Sequence, residues 1–295
     1  MKRLFLLLIP VLLFGTTFAQ TQQQRVISFG KDLTVEEKQA VVKDFPLPTD
    51  VKLTEIKTLT VTNQDEWQLL KGLVSDEQIG TKAISSVFIE KRNTGTGLEI
   101  ETKNLSLVTP HMIANALATA GVKDAKVVAV APLLVSGTAA LTGIYKSFEE
   151  LTGTALTPEA KRTAAEELIK TGNLGEEIGK ERAATLLERT KEQVVREKTA
   201  DKIGIVKVVK KSAQEQNITL TESQKQELAD LLLKIKQLNI DLSSLQNQLK
   251  NFRETADEKA PTEETEPGSL FDRIISFIRS LVDRLFSFVG RIFRF

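Results

Sequence analysis

The hydrophobic period changes once along this chain, near residue 151, and that change limits the folds open to it. Between Arg25 and Leu151 apolar residues recur alternately at two-residue and at 3.6-residue spacing, the mark of strands interleaved with helices. Beyond Thr154 the two-residue period disappears and only helical spacing remains. The expectation is an α/β or α+β N-terminal domain with a mixed sheet over residues 20–151, then an all-helical region over 152–252.

Local signals fill in the first part. Arg25 to Phe29 reads as a strand closed by Gly30, and Thr34 with Glu37 forms a capping box that starts a helix running to Phe45. Pro46 and Pro48 stop it. Val51 to Val61 alternates as a strand, and Asn63 with Glu66 opens a short helix carrying Trp67. Ala83 to Glu90 and Leu98 to Val108 are β-rich runs joined by Thr94-Gly95-Thr96-Gly97, a hairpin signal. Thr109 caps a helix with Pro110 at its first position, ending at Gly121. Val127 to Ala131 is continuously apolar and reads as a strand buried on both faces.

In the second part Thr157 and Pro158 open a helix that Gly172 and Gly175 are expected to break. Further helices are read from Glu176 to Lys198 and from Ile203 to Gln216. Thr221 and Gln224 form another capping box. Behind it Leu228, Ile235, Leu242 and Leu249 share one heptad position, and Leu231, Leu238, Leu245 and Phe252 the other. This segment, 228–252, is a coiled-coil seam, a helix of an antiparallel bundle, or two helices broken near Asn239–Asp241.

The two ends differ from the middle. Lys2 and Arg3, an apolar run from Leu4 to Phe14, and small residues before Gln20 make residues 1–19 an export signal. The run is short for a membrane span of ~30 Å. Residues 253–268, with Pro261, Pro267 and Gly268 among acids, read as a flexible acidic linker. Residues 269–295 read as an amphipathic helix. Phe271, Ile274, Phe277, Ile278, Leu281, Leu285, Phe288 and Ile292 fall on one face, and Arg273, Arg284 and Arg291 on the other. A charge recurs too often for spanning, so the expected partner is an anionic membrane surface, with the apolar face sunk among the lipids. Docking on the protein's own domain and self-association are the competing readings, and both the tail and the heptad segment offer routes to an oligomer.

Composition removes several chemistries. The 40 basic and 39 acidic side chains leave a formal charge of +1, which excludes a globally basic nucleic-acid binder. Zero cysteines exclude disulfide scaffolds, thiolate zinc sites and cysteine nucleophiles, and one histidine excludes a histidine-rich metal site. No metal and no cofactor is implied. That histidine, His111, stands at the second position of the helix after Thr109, where the dipole is expected to lower its pKa. It is either a base or a packing residue. Adjacent acids, among them Asp65-Glu66 and Glu166-Glu167, read as solvated helix faces. Ser28 and Lys31 match S-x-x-K, but on a strand.

The most suggestive stretch is Ser136-Gly137-Thr138 through Gly143, a strand-to-helix junction where backbone N–H groups gather anions. It is a weak ligand-binding candidate beside a plainer reading, a junction capped by Ser136 or Thr138.

Several stretches together carry a resemblance. They are Gln78–Ser86, Val108–Pro110, Asn115–Gly121, Val135–Gly143 and Thr171–Gly179. Through them the chain resembles the exported Gram-positive family known as domain of unknown function 1002, over roughly residues 25–250. The resemblance implies an exported envelope or extracellular protein and carries over no catalytic residue. The expected function is an exported envelope protein that binds an unknown partner or ligand, held at the outer face of the membrane by its tail. The alternative is a hydrolase or transferase of envelope polymers, using serine or carboxylate chemistry near Ser136–Gly143.

Overall fold

The structure, a computed structural model, describes residues 24–197 and 201–259. The expected export signal, most of the linker and the tail with its Phe271–Ile292 face lie outside the described residues.

The N-terminal part is a mixed five-stranded sheet with helices. Its strands are β1 (Arg25–Gly30), β2 (Lys57–Val61), β3 (Ser86–Lys91), β4 (Leu98–Leu105) and β5 (Ala125–Val135), in the order β2-β1-β3-β5-β4. β1 pairs β2 in parallel and β3 antiparallel, while β5 pairs β3 antiparallel and β4 in parallel. Helices α1 (Val35–Val42), α2 (Asn63–Leu70), α3 (Asp76–Ile79), α4 (Pro110–Ala120) and α5 (Thr138–Thr152) connect them. An all-helical region follows: α6 (Pro158–Ile178), α7 (Lys180–Arg196), α8 (Lys202–Glu215), α9 (Glu222–Gln237) and α10 (Leu242–Lys259).

Alternation along the strands divides the core. Val87, Ile89, Val127 and Ala129 face one side, where α4, α5 and α6 pack, while Phe88, Val128 and Val130 face the other with Ile27, Phe29, Val41 and Phe45. The first core extends past the sheet to Ala184, Leu245, Leu249 and Phe252. Packing therefore crosses residue 151, and the described residues up to Glu254 form one compact unit.

Three local readings change. The Thr94–Gly97 turn does not close a hairpin, because β5 lies between β3 and β4. Asp124, just before β5, accepts from Gly95 N at 3.0 Å and Gly97 N at 2.9 Å, fixing the turn as a crossover. The strand with two apolar faces takes the protected position. The first half of the expected 51–61 strand is a 3-10 turn, Leu53–Glu55. α6 runs unbroken through Gly172 and Gly175, which serve close packing. A Cβ on Gly172 would stand 3.2 Å from Leu107 Cδ1, and one on Gly175 2.9 Å from Lys180 Cα. The helix ends instead at Gly179, whose φ is 93°.

The heptad segment resolves into α9 and α10, separated at Leu238–Asp241 with Asn239 at φ 51°. Leu228, Leu231 and Ile235 are buried with α7 and α8, and Leu245, Leu249 and Phe252 against the sheet-side core. These seam residues are thus covered by the chain itself. α10 continues to Lys259, so residues 253–259 of the expected linker are helical.

Candidate functional site

Thr62 and Asp65 decide where α2 points. Thr62 N donates to Asp65 Oδ2 at 2.8 Å and Asp65 N to Thr62 Oγ1 at 3.2 Å, a capping box one residue earlier than the sequence suggested. Asp65 then pairs with Lys146 at 2.7 Å. One residue on, about 100° around the helix, Glu66 turns inward. It is 1% exposed. Its Oε2 accepts from Thr138 Oγ1 at 3.2 Å, while Oε1 is buried without a hydrogen-bond partner. Burial pushes this carboxyl up to about 8 against the opposing Thr138 hydrogen bond, and Asp32 and Asp65 add to the rise. Near neutral pH the protonated acid is the favoured form of Glu66.

The junction identified from sequence lies beside it. Gly137 is the N-cap of α5, at φ 93° and ψ 9°, and no side chain caps the helix. This corrects the expectation of a Ser136 or Thr138 cap. Both hydroxyls are turned elsewhere: Ser136 Oγ lies 3.2 Å from Thr138 Oγ1, which reaches Glu66. Glycine is needed at 137 for its left-handed backbone, and a Cβ there would stand 3.2 Å from Val108 Cγ2. The first backbone bond into α5 is Ala140 N to Gly137 O at 3.1 Å.

The facing wall is the segment before β3. Asp32 accepts from Ala83 N at 2.8 Å and donates its own N–H to Ala83 O at 3.1 Å, while Asn63 Nδ2 holds Gly80 O at 3.2 Å. Between the walls is a cavity of about 450 Å³ whose lining includes Glu66, Gly80, Lys82, Ser85, Ser136, Gly137 and Thr138. Lys82 is exposed at its rim. Two stretches that carried the resemblance, Gln78–Ser86 and Val135–Gly143, thus meet across one cavity. Sequence reasoning found the junction but missed Glu66, which it placed on a solvated face; the strand order that folds α2 against α5 has no local signal.

His111 is not among the residues lining this cavity. Its Nδ1 lies 3.1 Å from Glu181 Oε2 and its Nε2 2.5 Å from Glu188 Oε2, both on α7. Glu188 also pairs with Arg253, and the ring packs 5.6 Å from that of Phe252. The expected lowering of its pKa is overturned. Burial lowers it, but the hydrogen bonds and charges of the two glutamates outweigh burial and push it up to about 9. His111 is therefore a cation that joins α4 to α7. Among the described residues no group of three or more His, Cys, Asp or Glu is placed to hold a metal ion.

A folded pKa above the unfolded value gives stability that is full below about 6.5 and lost as pH rises through about 9. Urea melts should show wild type more stable than His111→Gln at pH 7, with the gap closing toward pH 10. A constant gap would show that the imidazolium contributes nothing.

The paired acids also depart from expectation. Glu166 and Glu167 are buried, Glu167 fully, because Lys191 and Lys234 compensate them. Ser28 of the S-x-x-K match is fully buried with its Oγ unpartnered, while Lys31 is exposed. A Cβ on Gly143 would stand 2.6 Å from that Oγ, so α5 packs directly on β1.

A family model described as "Protein of unknown function (DUF1002)" matches residues 29–252. The chain is 39% identical over 264 residues to "Uncharacterized protein YpuA" of Bacillus subtilis (strain 168), covering 89% of this chain and 88% of that protein. No solved structure matches. The matched span takes in both walls of the cavity and every element from α1 to α9, and by it the chain belongs to the DUF1002 family.

Proposed function

We propose that this is an exported envelope protein that binds a small polar ligand between α2 and α5 and is held at the outer face of the membrane by residues 269–295. One observation carries the binding site: Glu66, buried with its Oε1 unpartnered, is among the residues lining a cavity that also takes in the start of α5. A buried polar atom left unmatched costs about 1–3 kcal/mol, which a ligand hydrogen bond would offset. Binding is favoured over catalysis because the hydroxyls of Ser136 and Thr138 abut an acid that is protonated at neutral pH, so neither has a base beside it. The rival, an envelope-polymer hydrolase or transferase, draws on the same hydroxyl chain. With Glu66 ionised, a proton from Ser136 could pass through Thr138 to the carboxylate.

Ligand-observed NMR of the full mature chain with a panel of polar fragments tests the site. Fragments should bind wild type and lose binding in Ser136→Trp, which fills the cavity; no binding, or binding indifferent to the substitution, sinks the reading. Labelling of Ser136 by a serine-reactive phosphonate would favour the rival. The tail reading stands on the amphipathic pattern of residues 269–295. Co-sedimentation with anionic vesicles should fall when the chain ends at Gly268, and equal sedimentation of both chains overturns it.

A further inference from the structure

We propose that the cavity between α2 and α5 binds an oxyanion group, a carboxylate or a phosphate, and that Glu66 enters the complex protonated, donating from Oε1. This rests on the reading of the cavity as a ligand site and names the chemistry that fits it.

Two independent features converge there. The first is the start of α5, a 15-residue helix whose N-cap is Gly137 and whose first turn has no capping side chain. Its leading N–H groups and dipole favour negative charge. The second is Glu66, which is among the residues lining the same cavity and is buried with Oε1 unpartnered. The hydroxyl chain sets the direction of its proton. With Thr138 as the donor to Oε2, the acid proton sits on Oε1, the oxygen left without a partner in the fold and free to donate to a ligand.

An ammonium group would instead face the N–H groups of α5, a contact of like partial charge. Lys82 at the rim adds a positive charge on the approach. The other charged groups near Glu66 are Asp32, whose carboxylate holds Ala83 N, and Asp65, which is paired with Lys146. Arg162 of α6 is occupied by the carbonyls of Leu69 and Lys71 at the far end of α2. Asp32 and Asp65 both oppose ionisation of Glu66, and an incoming anion would oppose it further. Ligand and proton therefore bind together.

Trp67, the chain's single tryptophan and the neighbour of Glu66, reports binding by its emission. Acetate and inorganic phosphate are titrated separately into the full mature chain, with calorimetry in two buffers to count protons taken up. Acetate is the cleaner probe of pH because its own charge is constant above neutrality. Its affinity should fall roughly 100-fold between pH 7 and pH 10, about tenfold per unit above the Glu66 pKa. In Glu66→Gln the amide donates in place of the acid. Acetate should still bind, with proton uptake and the tenfold-per-unit slope gone. Preference for phosphate over acetate would assign the ligand group to a phosphate.

A flat pH profile in wild type, or an unchanged slope in Glu66→Gln, overturns the shared proton. Failure of both anions to bind, while neutral or cationic fragments occupy the cavity, overturns the oxyanion and leaves the ligand site standing. Failure of every probe overturns both. The wild-type profile decides the matter even if Glu66→Gln does not fold.

Discussion

Replacing Lys191 with methionine will destabilise the fold by about 3–5 kcal/mol, the usual result of stranding one member of a buried ion pair. Lys191 and Glu167 have side chains 0% and 1% exposed. The ammonium group has three protons, and each has an acceptor: Glu167 Oε1 at 2.7 Å, Asn115 O at 2.9 Å and Thr119 Oγ1 at 3.0 Å. Thr119 in turn donates to Glu167 Oε2 at 2.5 Å. Methionine replaces most of the apolar stem but ends one atom short of the ammonium and leaves a carboxylate without its counter-charge. Adding Glu167→Gln removes that charge and should restore a large part of the loss, which a double-mutant cycle in urea would measure. If Lys191→Met costs under about 1 kcal/mol, the pair is not compensating a buried charge.

Gly30→Ala should be comparably damaging, by about 3 kcal/mol or more, at the upper end of what overpacking usually costs. A Cβ there would stand 2.2 Å from Ala83 O, 2.6 Å from Ala83 C and 2.8 Å from Ile84 Cα. All three atoms are backbone, and Asp32 pins that segment from both its N–H and its carboxylate. The clash cannot be relieved by turning a side chain. Because Ile84 and Ser85 line the Glu66 cavity, the substitution should weaken ligand binding as well as stability. Urea unfolding followed by Trp67 emission gives the first effect, and fragment binding in the folded population the second. Native-like stability in Gly30→Ala would mean that β1 and the Ala83 segment do not press together as described.

The elements were legible in the sequence wherever one short stretch held the whole signal. The capping pairs Thr34–Glu37 and Thr221–Gln224, and Thr157 with Pro158, mark helix starts without reference to anything distant. Val127 to Ala131 announced a strand covered on both faces because no polar residue interrupts it. What failed depended on remote partners. The Thr94–Gly97 turn looks like a hairpin because the strand that separates its two arms comes later in the chain. Gly172 and Gly175 look like breakers until Leu107 and Lys180 are seen to need the space.

The site follows the same rule. The Ser136–Gly143 junction could be read locally, since strand, glycine and helix are contiguous. Glu66 could not, because the hydroxyl it meets belongs to Thr138, on another helix. His111 reversed its expected behaviour for the same reason. Two carboxylates of α7, seventy or more residues away in the chain, outweigh the burial that would lower its pKa.

The shared core also governs the order in which the chain can become stable. Five strands are complete once β5 has formed, and α4 and α5 pack on them, yet the same core also takes in Leu245, Leu249 and Phe252 of α10. Gln248 fastens that helix by exchanging hydrogen bonds with Asp124, 124 residues earlier. A chain emerging from its N-terminus therefore lacks part of this core until α10 arrives. Such long-range closure slows folding and prolongs the extended state.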